Sequence, residues 1–382
     1  MCCWYFLSPI KLTVSEILMN LVSKSVLLIA TLGIGLYLVL PSSSPIDVDK
    51  AATVADANTS VIGLNHIGLS VRDLDAALAF YQGATQFELL RRESVSANEQ
   101  ASKLFGQDNI AYEIAVLRGP NMLLELTQFE GNQDIPVRNM PPQGPGMTHT
   151  CFQSPDYDSG WDKFVAMGID PLSRGDQPID LGGYGITYGY AYDPDGNMIE
   201  LEQLDGKLLE RAGYGGRGQD LGGNLWMSQV GLATHDIVGL MEFYQMVLGF
   251  KPYRYAHVTD NPRLDDIVDI DNVDLIGGWF KLNQASKVIE IWQYVSPETP
   301  EFTGQRAVTS LGYSFSIEVA DIQTEYRRLT DLGLGFVSEP VELDGFWQVY
   351  SRDVDGNIFS LRQAVDPQSR LSVRKLDAWA AS

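Results

Sequence analysis

The chain repeats itself, and the repeat limits the folds open to it. His66-Ile67-Gly68-Leu69-Ser70-Val71-Arg72-Asp73 is echoed by Gln229-Val230-Gly231-Leu232-Ala233-Thr234-His235-Asp236. Each segment is followed 14 residues on by a Phe-Tyr pair, Phe80-Tyr81 and Phe243-Tyr244. A second kind of segment also occurs twice. Asp193-Pro194-Asp195-Gly196-Asn197-Met198-Ile199-Glu200-Leu201 parallels Asp353-Val354-Asp355-Gly356-Asn357-Ile358-Phe359-Ser360-Leu361. A repeated unit of this size is one supersecondary piece that cannot bury its apolar face alone, so the units must pack on one another. Linkers rich in Pro and Gly fall at 130–146, 205–224 and near 296–309. They leave four units, at 61–130, 146–204, 225–296 and 310–364.

Within a unit the pattern reads strand, helix, then several strands. In 64–71, Ile67, Leu69 and Val71 share one face and Leu64, His66, Gly68 and Ser70 the other. Asp73 is placed to cap the helix that follows. Leu74, Ala77, Leu78 and Tyr81 form its apolar stripe, which should cover the Ile67, Leu69 and Val71 face. That puts His66 on the side away from the helix. The same alternation sets Glu125 opposite Leu124 and Leu126, and Glu200 opposite Ile199 and Leu201. Asp195-Gly196 and Asp355-Gly356 are hairpin turns by composition.

His66, Glu125, His149 and Glu200 thus stand at related points of the first two units, all facing away from their own helices. Two imidazoles and two carboxylates suit a divalent transition metal, and the chain has only four histidines. Zn, Ni, Mn, Co and Fe all accept such a set, so ligand type leaves the metal open. Cys151 is two residues from His149 and reads as a small buried residue. With Cys2 and Cys3 at the extreme N-terminus, no disulfide is available to the body of the chain. A net charge of -22 excludes nucleic acid and anionic membrane surfaces as natural partners.

Residues 26–40 form an apolar run preceded by Lys24 and followed by Pro41-Ser42-Ser43-Ser44-Pro45. Its length suits the core of a signal peptide, at about 19–41, better than a full span, with an uncleaved anchor as the alternative. The expected layout is a signal peptide or membrane anchor over 1–45, a flexible tether over 46–60, and a peripheral tail over 365–382. The body is then exported, periplasmic or membrane-tethered, and either a monomer or a homodimer.

The motifs Asn65-His66-Ile67-Gly68-Leu69, Phe80-Tyr81, Leu124-Glu125-Leu126 and Asp193-Pro194-Asp195-Gly196-Asn197 with Glu200-Leu201 resemble the vicinal oxygen chelate superfamily over about residues 61–364. That group includes glyoxalase I, methylmalonyl-CoA epimerase, extradiol dioxygenases and the bleomycin and fosfomycin resistance proteins. The resemblance implies an α+β fold of four βαβββ modules, paired into two domains with U-shaped mixed sheets. Ligands then come from the first and last strand of each module, at His66, Glu125, His149 and Glu200. Sequential pairing of modules gives a metal-binding domain over 61–204 and a degenerate one over 225–364, whose equivalents are Gln229, Glu290, Tyr313 and Ser360. Crossed pairing, first with fourth and second with third, assembles His149, Glu200, Gln229 and Glu290 instead. Sequential pairing is preferred because it completes the His/Glu/His/Glu set.

The resemblance further implies a glyoxalase I-like lyase or isomerase. It would chelate a small substrate through two adjacent oxygens and move a proton through an enediolate or enolate, with Glu200 and Glu125 as the catalytic carboxylates. An extradiol-type Fe(II) dioxygenase using His66, His149 and Glu200 is the first alternative. A non-catalytic ligand-binding protein with an aromatic cleft is the second.

Overall fold

The computed structural model describes residues 59–213, 225–283, 287–302 and 304–377. The signal or anchor segment (1–45), most of the tether, the glycine-rich part of the second linker (214–224) and residues 378–382 lie outside the described residues. Among the described residues, no helix is long and apolar enough to cross a membrane.

The first module contains β1 (Val61–Ser70), α1 (Leu74–Thr85), β2 (Glu88–Val95), α2 (Glu99–Phe105), β3 (Tyr112–Arg118) and β4 (Leu123–Phe129). The second has β5 (Gly146–Pro155), α3 (Gly160–Ala166), β6 (Asp170–Pro171), β7 (Ile179–Asp180), β8 (Ile186–Tyr192), β9 (Met198–Leu204) and α4 (Gly206–Arg211). The third has β10 (Trp226–Ala233), α5 (Ile237–Leu248), β11 (Arg254–Val258), α6 (Pro262–Val268), β12 (Asp274–Asn283) and β13 (Lys287–Ser296). The fourth has β14 (Gly312–Val319), α7 (Ile322–Asp331), β15 (Val341–Leu343), β16 (Phe346–Arg352) and β17 (Ile358–Ala364). The four units therefore begin and end close to where the repeat placed them. Asp73, Asp236 and Asp321 each cap the helix that follows, their side chains accepting from the N–H of Ala76, Gly239 and Thr324.

The strands form two mixed sheets, and the pairing is crossed. One sheet runs β15-β16-β17-β14-β1-β4-β3-β2, joining the fourth module to the first. The other runs β11-β12-β13-β10-β5-β9-β8-β6, joining the third to the second. The domains expected from sequential pairing, 61–204 and 225–364, are not the units that close. β1 is antiparallel to β14, with Gly68 opposite Ser314, and β10 is antiparallel to β5, with Gly231 opposite His149.

Consecutive modules meet back to back through their helices instead. Phe80 and Tyr81 of α1 pack against Phe152 and Phe164 of the second module, at ring separations of 5.7 to 6.5 Å. The Tyr81 hydroxyl donates to Asp193 at 2.7 Å. Phe243, Tyr244, Phe315 and Phe359 repeat the arrangement, with Tyr244 donating to Asp353 at 2.8 Å. Each Tyr buries its ring and satisfies its hydroxyl on the neighbouring module's hairpin, which is why Phe-Tyr and the Asp-x-Asp-Gly-Asn turn recur together. Truncating either ring to Ala would cost about 3–5 kcal/mol. With the helix faces committed to this shared core, the first strand of each module is left to pair across to the other half of the chain.

The tail is not peripheral. Val373 and Leu376 are fully buried against Leu104, Ile114 and Val308 in the first sheet's own cluster. Glu318 accepts from the Ser372 hydroxyl and the Val373 N–H, and the Asn65 amide donates to the Leu371 carbonyl. Val373 and Leu376, with Leu371 packed beside them, supply the apolar anchors within a largely polar segment.

Candidate metal centre in the second sheet

Four strands of the second sheet each present one polar side chain on the face away from the helices. Val230 and Leu232 of β10, Ile289 and Ile291 of β13, and Ile199 and Leu201 of β9 are fully buried in the helix-side core. Strand alternation therefore turns Gln229, Glu290 and Glu200 inward from the other face. His149 arrives from β5. His149 Nε2 lies 3.1 Å from Glu200 Oε2 and 3.3 Å from Glu290 Oε2. The Gln229 side-chain amide sits among them, its Nε2 2.7 Å from Glu200 Oε2, 2.9 Å from Glu290 Oε2 and 3.3 Å from His149 Nε2.

All four residues are buried. Burial opposes a charge on His149, yet the hydrogen bonds and charges of Glu200 and Glu290 outweigh it and lift the imidazole to about 9. Burial raises the Glu200 carboxyl above its ordinary range, with His149 pulling the other way. Glu290 is fixed at both oxygens, Oε2 by Gln229 and Oε1 by the Trp279 indole N–H at 2.7 Å. Tyr190 packs edge-on against the His149 ring at 5.1 Å. Gly231, opposite His149, leaves room for that ring: a Cβ on it would lie 2.2 Å from His149 Cε1.

The donor chemistry fits a divalent cation. One imidazole nitrogen and two carboxylate oxygens lie within 4.8 Å of one another. The Gln229 amide N–H groups point where a cation would satisfy the same acceptors, and turning that amide would present its oxygen.

The first sheet holds the other two expected ligands and a different arrangement. His66 Nε2 lies 3.7 Å from Glu125 Oε1. Arg362 of β17 enters beside them, its Nη2 3.1 Å from Glu125 and its Nη1 3.2 Å from His66 Nδ1. Burial lowers the His66 imidazole to about 3, with Arg362 adding to the effect against Glu125. Burial opposes a charge on Glu125 too, but Arg362 and His66 together hold it down at about 2. The remaining positions are Ser314 and Ser360. Ser314, not Tyr313, stands opposite Gly68, while Tyr313 turns to the core and donates to the Met198 carbonyl. A guanidinium already supplies the positive charge here, so this set does not fit a metal. A cavity of about 30 Å³ lies beside Glu125 and Arg362, lined also by Gln348 and Tyr350.

The expected ring of His66, Glu125, His149 and Glu200 is therefore split. His149 and Glu200 come together with Gln229 and Glu290 in the second sheet, and His66 and Glu125 pair with Arg362 in the first. Cys151 is fully buried beside Glu202, and burial pushes its thiol well above the ordinary range, in keeping with a structural residue. Tyr188, Tyr190, Tyr192 and Trp292 pack in a cluster with Leu264 and Ile267 rather than lining an open cleft. Sequence reasoning missed Arg362, although it lies two residues from Ser360 and so on the same strand face. It also missed the bond from Trp279 to Glu290, for which the sequence carries no signal.

Residues 63–201 match the Glyoxalase/Bleomycin resistance protein/Dioxygenase superfamily. Because pairing is crossed, this match spans one half of each sheet. The chain is 27% identical over 145 residues to an ethylmalonyl-CoA/methylmalonyl-CoA epimerase of Cereibacter sphaeroides, covering 37% of this chain and 97% of that protein. It is 28% identical over 142 residues to the Glyoxylase I 4 of Arabidopsis thaliana, covering 37% and 71%. The fold resembles glyoxalase I from Zea mays, with a TM-score of 0.51 and 20% identity, covering 79% of this chain and 92% of that one. A putative dioxygenase from Bacillus subtilis gives a TM-score of 0.52 at 12% identity, covering 84% and 91%. With its repeated motifs, the region over residues 63–201 belongs to the glyoxalase, bleomycin resistance protein and dioxygenase superfamily, the vicinal oxygen chelate proteins, and the whole described fold resembles theirs.

Proposed function

We propose that this protein is a divalent-metal-dependent enzyme of the glyoxalase I-like class. It would shift a proton between neighbouring carbons of a small substrate that offers two adjacent oxygens. The observation that carries the reading is the buried ring of His149, Glu200, Gln229 and Glu290, with the Gln229 amide in the place of a cation. Those four residues would hold the metal. When bound, a divalent ion there stabilises negative charge on substrate oxygens as a Lewis acid.

The two carboxylates are not equivalent. Glu290 is held at both oxygens, by Gln229 and Trp279, and serves as a fixed member of the ring. Glu200 is assigned as the proton carrier, since burial raises its carboxyl above its ordinary range and so favours taking up a proton. Glu125, expected to share this role, lies in the other sheet beside Arg362 and takes no part. The epimerase and glyoxylase names of the two relatives support a proton-moving class. The dioxygenase alternative drew on His66, His149 and Glu200 together, and these lie in different sheets. Export through residues 26–40 belongs to this proposal and is read by cell fractionation.

Elemental analysis of the purified protein tests the reading. One divalent metal per chain is expected, lost in His149→Ala and retained in His66→Ala. Solvent deuterium entering the carbon next to a carbonyl, followed by proton NMR over a panel of 2-hydroxy and 2-keto thioesters, reports the chemistry. A metal-free protein, or metal that follows His66 rather than His149, would overturn the reading.

A further inference from the structure

One lateral row of the second sheet runs straight through the candidate centre. His149 stands opposite Gly231, Gly231 beside Glu290, Glu290 opposite Trp279, and Trp279 opposite Arg254. Residues directly opposite on neighbouring strands share a face. Two contacts show that this holds here: the Trp279 indole donates to Glu290 at 2.7 Å, and the Arg254 guanidinium carbon lies 4.5 Å from the centroid of the Trp279 ring. Arg254 is therefore on the same face as the ring of ligands, at the open edge of the sheet, two strand spacings or about 10 Å from Glu290 along the row.

Its electrostatic situation is unusual for this chain. Asp and Glu number 49 against 27 Lys and Arg. Arg91 occupies the matching place in the first sheet, where Glu125 stands opposite Val116 and Val116 opposite Arg91. Arg91 is neutralised by Asp344 at 2.8 Å and by Glu93. Arg254 is exposed and, among the described residues, has no carboxylate partner. Trp279 orients the guanidinium through its ring face and leaves its N–H groups for something else.

We propose that Arg254 is a specificity-determining residue that receives an anionic group of the substrate, most simply a carboxylate. The substrate class is then a small molecule with two adjacent oxygens at one end and a negative charge about two strand spacings away. This rests on the metal reading of the His149 ring.

The test uses hydroxamates as probes, because they offer two adjacent oxygens to a metal. Two series are compared, one ending in a carboxylate and one in a methyl group, with two to six methylenes between. Binding to the metal-loaded full chain is followed by tryptophan fluorescence, with metal content measured in every variant. At the best length the carboxylate series should bind about fivefold more tightly, the upper end for an exposed ion pair, and less so as salt is raised. Arg254→Gln should remove that preference without changing metal content or the affinity of the methyl series, and Arg254→Lys should retain part of it. An unchanged preference in Arg254→Gln, or none in the parent protein, overturns the proposal and leaves the metal reading standing. Failure of both series to bind, or absence of metal, overturns the metal reading and this proposal with it.

Discussion

Gly231→Ala is the sharpest probe of the second-sheet centre. The added Cβ would lie 2.2 Å from Cε1, 2.4 Å from Nε2 and 2.6 Å from Nδ1 of His149, where ordinary contact begins near 3.4 Å. The ring must retreat by about 1 Å, and it is walled in by Tyr190 on another side. Overpacking of this kind costs about 1–3 kcal/mol of stability. A displacement of about 1 Å in a positioned group costs up to about 100-fold in rate. The expected outcome is a melting temperature lower by a few degrees, metal affinity weaker by about 10- to 100-fold in chelator competition, and a folded circular dichroism spectrum. Gly68→Ala is the control at the matching place in the first sheet. There the close atom is the Ser314 hydroxyl at 2.4 Å, which can rotate aside, and His66 is 3.6 Å away. Metal affinity should be unchanged in that variant. Unaltered metal affinity in Gly231→Ala, or a larger loss in Gly68→Ala, would refute the reasoning.

Trp279→Phe keeps an aromatic ring but removes the N–H that holds Glu290; metal affinity should fall by about tenfold with little change in melting temperature. Arg362→Met strands the buried Glu125 carboxylate and should destabilise the protein by about 3–5 kcal/mol in denaturant melts, while elemental analysis still finds the metal. Asp353 is raised to about 6 by burial, against its bonds from Asn357 and Tyr244. Because the folded value exceeds the unfolded one, its contribution is fully present below about pH 4 and is lost as pH rises through 6. Asp353→Asn should therefore gain on the parent protein by about 2 kcal/mol between pH 4 and pH 7, read from paired thermal melts.

Local order was well written in the sequence. The Asp73 cap, the helix stripe from Leu74 to Tyr81 and the inward turn of His66, Glu125, His149 and Glu200 all follow from spacing, because strand and helix periods are short-range properties. The partner of β1 was not legible. β14 and β5 both begin modules and both carry suitable alternation, so pairing depends on where the helices pack. That is settled by contacts such as Tyr81 with Asp193, which link residues 112 positions apart. The site followed the pairing. His149 and Glu200 survive under either arrangement, while Gln229 and Glu290 replace His66 and Glu125. The tail was not legible because composition weighs a polar segment as a whole, whereas a few apolar residues, Val373 and Leu376 with Leu371 beside them, anchor it.

Crossed pairing also nests one sheet inside the other along the chain. The second sheet uses a continuous stretch from β5 to β13, while the first takes one half from before that stretch and one from after it. During synthesis, the half that bears the proposed chemistry can close as soon as β13 has emerged. β1 must wait for β14, since Ser70 pairs with Gly312, 242 residues later. Until then the first module presents an unpaired edge next to a half-covered core, the kind of surface that recruits chaperones or seeds aggregation. A chain halted between β13 and β14 would thus hold the complete ring of His149, Glu200, Gln229 and Glu290 and still be unfinished, so losses at the C-terminal end should show first as poor solubility and only afterwards as lost metal.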